Sequence, residues 1–187
     1  MKPDPQALER LKVYHEYGID VKTRTINLTA TIDEVSVDYM LTNIDFLESV
    51  SDDPIRFIIS TFGGEEIEAL SLIEAMKTSD CVIETLARGK CMSAGPLIVA
   101  SGDVGCRRAY RSVQWMIHVG DGAVEGTYHQ LESDMKWYKK MNNTWLEMME
   151  EYTRMPQSHW KKLTDRNSDV FFSSEDALEW GIIDEII

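Results

Sequence analysis

Hydrophobic and polar positions along the chain predict alternating strands and helices. Short apolar or β-branched runs at residues 25–28, 55–60 and 82–86 have the length of buried strands. Between them, residues 35–50 and 65–77 repeat apolar side chains at helical spacing. This alternation predicts right-handed βαβ crossovers and a mostly parallel sheet, which is an α/β fold.

The same pattern predicts which helix faces meet the core. In the helix over residues 35–50, the expected core contacts are Val35, Tyr39, Leu41, Ile44 and Leu47. Residues 128–153 predict one long helix that ends before a proline and carries a broad apolar stripe. A stripe of methionine and aromatic side chains is typical of core packing. Its members are Leu131, Met135, Tyr138, Met141, Trp145, Met148 and Met149.

Ser93 lies where a strand is expected to turn into a buried helix. It sits within the run GKCMSAGP at residues 89–96, which an apolar stretch follows. A serine at such a corner can project its hydroxyl into a cleft while the next N–H groups stay free to bind an oxyanion. The run is equally typical of a tight turn in which serine caps the helix. Cys91 is a rival nucleophile, although burial in the core suits it better.

Two other predicted strands end in residues that fit the same chemistry. Gly63 and Gly64 stop the strand that precedes the helix at 65–77, and His118 closes a strand over residues 113–118. Glycines at 120, 122 and 126 follow that histidine. Turn glycines and strand-end histidines are often structural. Acyl transfer, however, needs a nucleophile, a base and an oxyanion hole at one point, and ligands of parallel sheets bind beyond the carboxyl ends of strands.

The order and spacing of these motifs resemble the proteolytic subunit of Clp protease (ClpP). The resemblance runs from about residue 24 to the C-terminus and includes GKCMSAG at 89–95, MIH at 116–118 and FSSEDALEWGIID at 172–184. It implies a ClpP/crotonase-like fold of repeated βαβ units with a long handle helix. It further implies a serine peptidase domain over residues 24–187, preceded by a divergent N-terminal segment over residues 1–23.

The resemblance also assigns the site. It implies a serine endopeptidase with Ser93 as nucleophile, His118 as general base and Asp169 as the acid that orients the imidazole. The N–H groups of Gly64 and Ala94 would form the oxyanion hole. Asp165 competes with Asp169 for the role of the acid, and a cap or a solvated loop is the structural alternative for Asp169.

Composition excludes several classes of partner. Nineteen basic and 32 acidic residues give a formal charge of −13, which argues against nucleic acid or anionic membrane as the main partner. The apolar runs are too short to span a membrane, and we find no signal-peptide pattern. Three cysteines without a C-x-x-C pair predict a reducing cytoplasm. His15, His129 and His159 lack metal-ligand spacing, so neither metal nor cofactor is expected.

The resemblance implies a homo-oligomer of one or two seven-membered rings, thus a heptamer or a tetradecamer. Such rings enclose the catalytic sites, and an AAA+ ATPase unfoldase feeds them polypeptide substrate. Two features depart from this pattern: the N-terminus differs, and Arg56 and Arg108 stand where the family tends to place apolar residues that receive the ATPase.

Three other hypotheses follow from these departures. The chain could be a regulatory ring subunit that modulates or co-assembles with a related protease. It could be a dedicated processing protease, such as a virus would encode, that works without an ATPase. The last of the three is an acyl-CoA enzyme of the crotonase type, which the presence of both Ser93 and His118 disfavours.

Overall fold

The computed structural model describes residues 4–120, 125–165 and 169–187, so Gly122 of the glycine-rich stretch lies outside the described residues. The predicted α/β fold with a mostly parallel sheet is confirmed. None of the helices within these ranges is long and apolar enough to cross a membrane. The boundary at residue 23 between an N-terminal segment and the main domain stays a prediction.

Eight strands form one sheet in the described part of the chain. They are β1 (Ile19–Asp20), β2 (Thr25–Leu28), β3 (Ile55–Thr61), β4 (Ile83–Met92), β5 (Arg107–Ala109), β6 (Gln114–Ile117), β7 (Val170–Phe172) and β8 (Glu185–Ile186). The order is β1-β2-β3-β4-β5-β8, and β6 pairs with β4 and β7. Only the β1–β2 and β6–β7 pairs are antiparallel among these strands.

Helices connect most of these strands. They are α1 (Pro5–Tyr17), α2 (Glu34–Val50), α3 (Glu66–Thr78), α4 (Gly95–Ala100), α5 (Tyr128–Tyr152), α6 (Gln157–Thr164) and α7 (Ser174–Trp180). Capping boxes begin α2, α5 and α7, where Asp33, Thr127 and Ser173 accept a hydrogen bond from the third helical residue. These caps explain why the predicted starts lie within a residue of the observed ones for α2 and α5.

The predicted core face of α2 is partly wrong. Ile44 and Leu47 are buried and Leu41 packs against the core, but Val35 and Tyr39 are exposed. Val37 and Met40 fill the core instead. Positions 37, 40, 44 and 47 follow the steps of three and four that keep one helix face toward the core, whereas 35 and 39 lie beside that face.

The apolar stripe of α5 packs on the core only in its C-terminal half. Leu146 and Met149 are buried, and Trp145 and Met148 pack against the core. Core packing is wrong for the N-terminal half, where Met135 is 47% exposed. The helix contacts α4 and α6 near its end, and a helix of 25 residues is longer than the core that it meets.

Strand β4 is longer than the sequence predicts. Its first half pairs with β5 through residues 85–87, and its second half pairs with β6 through residues 90–92. Gly89 lies between the two halves with φ of +67°. The strand therefore changes partner partway along its length and carries its last residue, Met92, up to the end of β6.

Candidate active site

The backbone of Ser93 adopts an unusual conformation at the end of β4. Its φ is +57°, in the left-handed region that residues other than glycine rarely occupy. The Ser93 N–H donates to the carbonyl of Met116 on β6 at 2.9 Å, and α4 begins two residues later. A sharp strand-to-helix turn of this kind presents a hydroxyl at the end of the sheet.

His118 directly follows β6, and the pairing of this strand fixes its position. Met92 pairs with Met116 in the parallel β4–β6 ladder, so the residues just beyond both strands lie side by side. The Ser93 Oγ is 2.8 Å from the Nε2 of His118. This distance lies within hydrogen-bond reach of a nucleophile and its base.

Asp169 approaches the other nitrogen of the same ring. It directly precedes β7, whose Val170 pairs with Ile117 on β6. One Asp169 carboxylate oxygen is 3.4 Å from the His118 Nδ1, which is longer than an ordinary charged hydrogen bond, and the Asp169 side chain is 52% exposed. The structure thus brings together the three predicted residues, with the serine and the carboxylate on opposite nitrogens of the imidazole.

The turn at Gly63 and Gly64 passes close beside Ser93. The φ angles are +100° and +158°, and a Cβ placed on Gly63 would lie only 3.0 Å from the Ser93 Oγ. A Cβ on Gly64 would lie 2.7 Å from the backbone nitrogen of Ile32. Both positions therefore require glycine, for close approach as well as for conformation.

A buried threonine that the sequence analysis missed holds this turn in place. The Thr61 Oγ1 accepts from the N–H of Gly63 at 3.0 Å and donates to the carbonyl of Ala30 at 2.6 Å. Ile32 pairs with the turn from the other side, donating to the Gly63 carbonyl at 3.0 Å. Thr61 stands two residues before the glycine pair at the end of an apolar strand, a position that the sequence alone does not mark as functional.

Two backbone N–H groups near Ser93 are available to an anion. Within the described residues, neither the N–H of Gly64 nor that of Ala94 donates a hydrogen bond. Ala94 follows Ser93 directly, and Gly64 belongs to the turn that contacts it. Pairs of backbone donors of this kind stabilise the oxyanion of acyl transfer.

Cys91 is packed in the core, as expected. Its side chain is fully buried, and burial raises the pKa of the thiol well above its usual value. The thiolate is the nucleophilic form of cysteine, so this environment makes Cys91 inert. Within the described residues, no group of His, Cys, Asp and Glu side chains is arranged to hold a metal ion.

Arg56 and Arg108 lie on the outward face of the sheet. Arg56 donates to Glu84 Oε2 at 2.9 Å, and Arg108 donates to Glu185 Oε2 at 3.0 Å. Arg108 also lies 3.9 Å from Glu84. These four side chains form a strip of alternating charge across β3, β4, β5 and β8.

Comparison with known proteins shows which family the chain resembles over nearly its whole length. A family model described as Clp protease matches residues 9–187. The chain is 29% identical over 175 residues to the ATP-dependent Clp protease proteolytic subunit of Deinococcus radiodurans, covering 93% of this chain and 85% of that protein.

Proposed function

Because the chain belongs to the Clp protease family, we propose that it is a serine endopeptidase that uses Ser93, His118 and Asp169 as its catalytic residues. The observation that carries this proposal is the 2.8 Å contact between the Ser93 hydroxyl and the His118 imidazole. The contact lies at the end of a parallel sheet, beside a turn whose Gly64 N–H donates no hydrogen bond to any described residue. This is the arrangement that acyl transfer requires.

The proposed mechanism follows from the orientation of the imidazole. With the proton on Nδ1, facing Asp169, Nε2 is the atom that accepts the Ser93 proton as Oγ attacks the peptide carbonyl. The carbonyl oxygen becomes an oxyanion that the N–H groups of Gly64 and Ala94 stabilise. His118 then returns the proton to the leaving amine. Water then attacks the acyl-enzyme, with His118 again taking a proton, now from the water, and giving it to the Ser93 oxygen as the acyl bond breaks.

We further propose that the substrates are unfolded polypeptides and that the enzyme is a homo-oligomeric ring of seven subunits, single or stacked in pairs. Large apolar side chains that stay exposed on the N-terminal half of α5 support self-association, since exposed apolar surface often marks a contact with another protein. They are Tyr128, Met135 and Trp137. An AAA+ ATPase is the partner that would supply unfolded chains.

A fluorophosphonate probe that reacts with activated serines tests the nucleophile. We expect it to label the wild-type protein and Ser112→Ala, an exposed serine variant, and not to label Ser93→Ala. Hydrolysis of a fluorogenic peptide should follow the same pattern. Equal labelling of wild type and Ser93→Ala would overturn the assignment.

The acid is tested by a matched pair of variants. Asp169→Asn should lower kcat by about 10⁴-fold, because the amide no longer favours the tautomer with the proton on Nδ1. Asp165→Asn removes the same charge from an exposed carboxylate at the end of α6 and should leave kcat unchanged. The opposite pattern would assign the acid to Asp165.

The charged strip at Arg56 and Arg108 favours a second candidate, a processing protease that works without an ATPase. An apolar docking loop gains little from a surface of paired charges. Degradation of an unfolded protein, measured with and without added AAA+ Clp ATPases and ATP, separates the two candidates. Stimulation by any of them supports the usual partnership.

A further inference from the structure

Glu66 places a carboxylate between the two segments that frame the candidate site. It is the first residue of α3 and lies two residues after Gly64. Its Oε2 is 3.8 Å from the point that a Cβ on Gly120 would occupy, and Gly120 lies two residues after His118. The carboxylate therefore lies between the Gly-Gly turn and the backbone segment that follows His118. Gly120 has no side chain that could cover it.

This carboxylate is half-buried and has no cationic partner among the described residues. No Lys, Arg or His forms an ion pair with it there, and it accepts no hydrogen bond. Lys90, a cation on the neighbouring β4, stacks on the Phe62 ring at 4.5 Å instead. The partly buried carboxylate of Asp184, by contrast, is paired with Arg107.

A half-buried anion without a counter-ion is unfavourable unless something else supplies the positive charge. Burial raises the pKa of the Glu66 carboxyl, which reflects that cost. The N-terminal end of α3 offsets part of it through the helix dipole. The remaining imbalance, between the Gly-Gly turn and the segment that follows His118, points to a cation that arrives with the substrate.

We propose that Glu66 is a specificity-determining residue that binds a lysine or arginine side chain of the polypeptide next to the scissile bond. The inference rests on the proposed peptidase function, and it adds a substrate preference to it. In the complex, the substrate ammonium or guanidinium group donates to the Glu66 carboxylate while the adjoining carbonyl lies at Ser93. Charge-assisted hydrogen bonds of this kind are among the strongest that proteins form.

Paired fluorogenic peptides test the preference directly. One pair carries lysine or norleucine on the acyl side of the scissile bond, and a second pair carries them on the amine side. Lysine and norleucine differ by the charged group and have the same aliphatic stem. For wild type, we expect kcat/KM to favour lysine by about tenfold or more in one of the pairs. Glu66→Gln should abolish that ratio, and Glu66→Lys should invert it.

Glu74→Gln provides the matched control. It removes the same charge from the same helix at an exposed position two turns further on, and it should keep the wild-type ratio. Glu66→Gln should retain hydrolysis of the norleucine peptide and labelling of Ser93 by the fluorophosphonate probe. These two measurements show that the variant is folded and that only recognition of the cation has changed.

The possible results distinguish the role of Glu66 from the proposed peptidase function. Hydrolysis with no lysine preference in either peptide pair, or a preference that Glu66→Gln keeps, would overturn the role of Glu66 and leave the peptidase assignment intact. Wild-type protein that neither labels nor cleaves any of the four peptides would overturn the proposed function, and the role of Glu66 with it.

Discussion

Ser93 holds a backbone conformation that costs free energy, and its neighbours supply the interactions that maintain it. A left-handed φ at a residue other than glycine costs about 1–3 kcal/mol. The hydrogen bond to Met116 fixes the Ser93 nitrogen, and the Gly63 turn leaves room for its side chain. The strain therefore serves to aim one hydroxyl at the His118 ring.

Gly63→Ala tests whether the turn sets the position of Ser93. The new methyl group would lie against the Ser93 side chain, so either the serine or the turn must move. We expect the rate of fluorophosphonate labelling to fall by about 100-fold, since small misplacements of reacting groups have effects of that size. Thermal unfolding should show a loss of about 1–3 kcal/mol.

Gly105→Ala is the control for conformational strain alone. Gly105 also has a left-handed φ, +87°, but a Cβ there would have nothing within 4 Å. This variant should lose about 1–2 kcal/mol of stability and label at the wild-type rate. Equal labelling of both variants would mean that the Gly63 turn does not position the nucleophile.

Which site residues can be recognised from sequence depends on whether their role is local. Ser93 and His118 stand in short motifs at strand ends, so their types and order were enough to single them out. Thr61 holds the turn through the carbonyl of Ala30, and Glu66 lies beside Gly120, both of which are distant along the chain. No local pattern distinguishes them from an ordinary strand threonine or an ordinary first-turn glutamate.

At the level of elements, the central strands were easier to predict than the faces of helices, whereas β1, β5, β7 and β8 had no predicted counterpart. A buried run of β-branched residues identifies β2 and β3 by composition alone. The core face of α2 depends on where the helix begins and what packs beside it. Asn43, for example, is buried because its side chain donates to the carbonyl of Tyr17, which no periodicity indicates.

One ion pair ties several elements together at the amino-terminal ends of β5 and β8. Arg107 on β5 is buried, and it donates to Asp184 at 2.7 and 2.9 Å. The same guanidinium donates to the carbonyls of Ala100 and Tyr152, at the ends of α4 and α5. Asp184 also accepts from the N–H of Gly105 at 2.7 Å. This cluster joins β5, α4, α5 and the chain entering β8.

Asp184→Asn should therefore destabilise the fold strongly. It leaves the buried Arg107 charge without its counter-ion, a change that costs about 3–5 kcal/mol. Glu185→Gln removes the same charge from the neighbouring, exposed Arg108 pair and should cost less than about 1 kcal/mol. Urea unfolding of both variants measures the difference. Similar losses for the two would contradict the assigned role of the buried pair.

The same ion pair between Arg107 and Asp184 should make the stability of the fold depend on pH. Burial opposes ionisation of Asp184, but the hydrogen bonds and charge of Arg107 outweigh it and lower the carboxyl pKa. A group whose pKa is lowered on folding stabilises the native state above its unfolded value, about 3.9, and this contribution disappears as the pH falls through the folded pKa. Asp184→Asn should accordingly flatten the loss of stability below pH 4.

For the molecule as a whole, exposed apolar groups and charge lie in different places. The strip formed by Arg56, Glu84, Arg108 and Glu185 neutralises its own charge on the outward face of the sheet. The N-terminal half of α5 instead presents apolar side chains that nothing in the described chain covers. A net charge of −13 opposes the approach of one subunit to another, so the proposed association would draw on such apolar side chains.

Solution mass tests this proposed association, and a variant on α5 tests its location. We expect the wild-type protein to have the mass of seven or fourteen subunits by light scattering. Met135→Asp puts a charge on a side chain that is 47% exposed, so it should not disturb the monomer fold. It should nevertheless lower the assembled mass, because burying an unpaired carboxylate in an interface is costly.

Asn143→Asp is the control, because it adds the same charge to an exposed position of the same helix without removing an apolar group. We expect it to keep the wild-type mass. An unchanged mass for Met135→Asp would place the contact elsewhere on the subunit. The contacts among Ser93, His118 and Asp169 are all made within one chain. A wild-type monomer that the probe still labels at Ser93 would therefore show that the active serine does not depend on assembly.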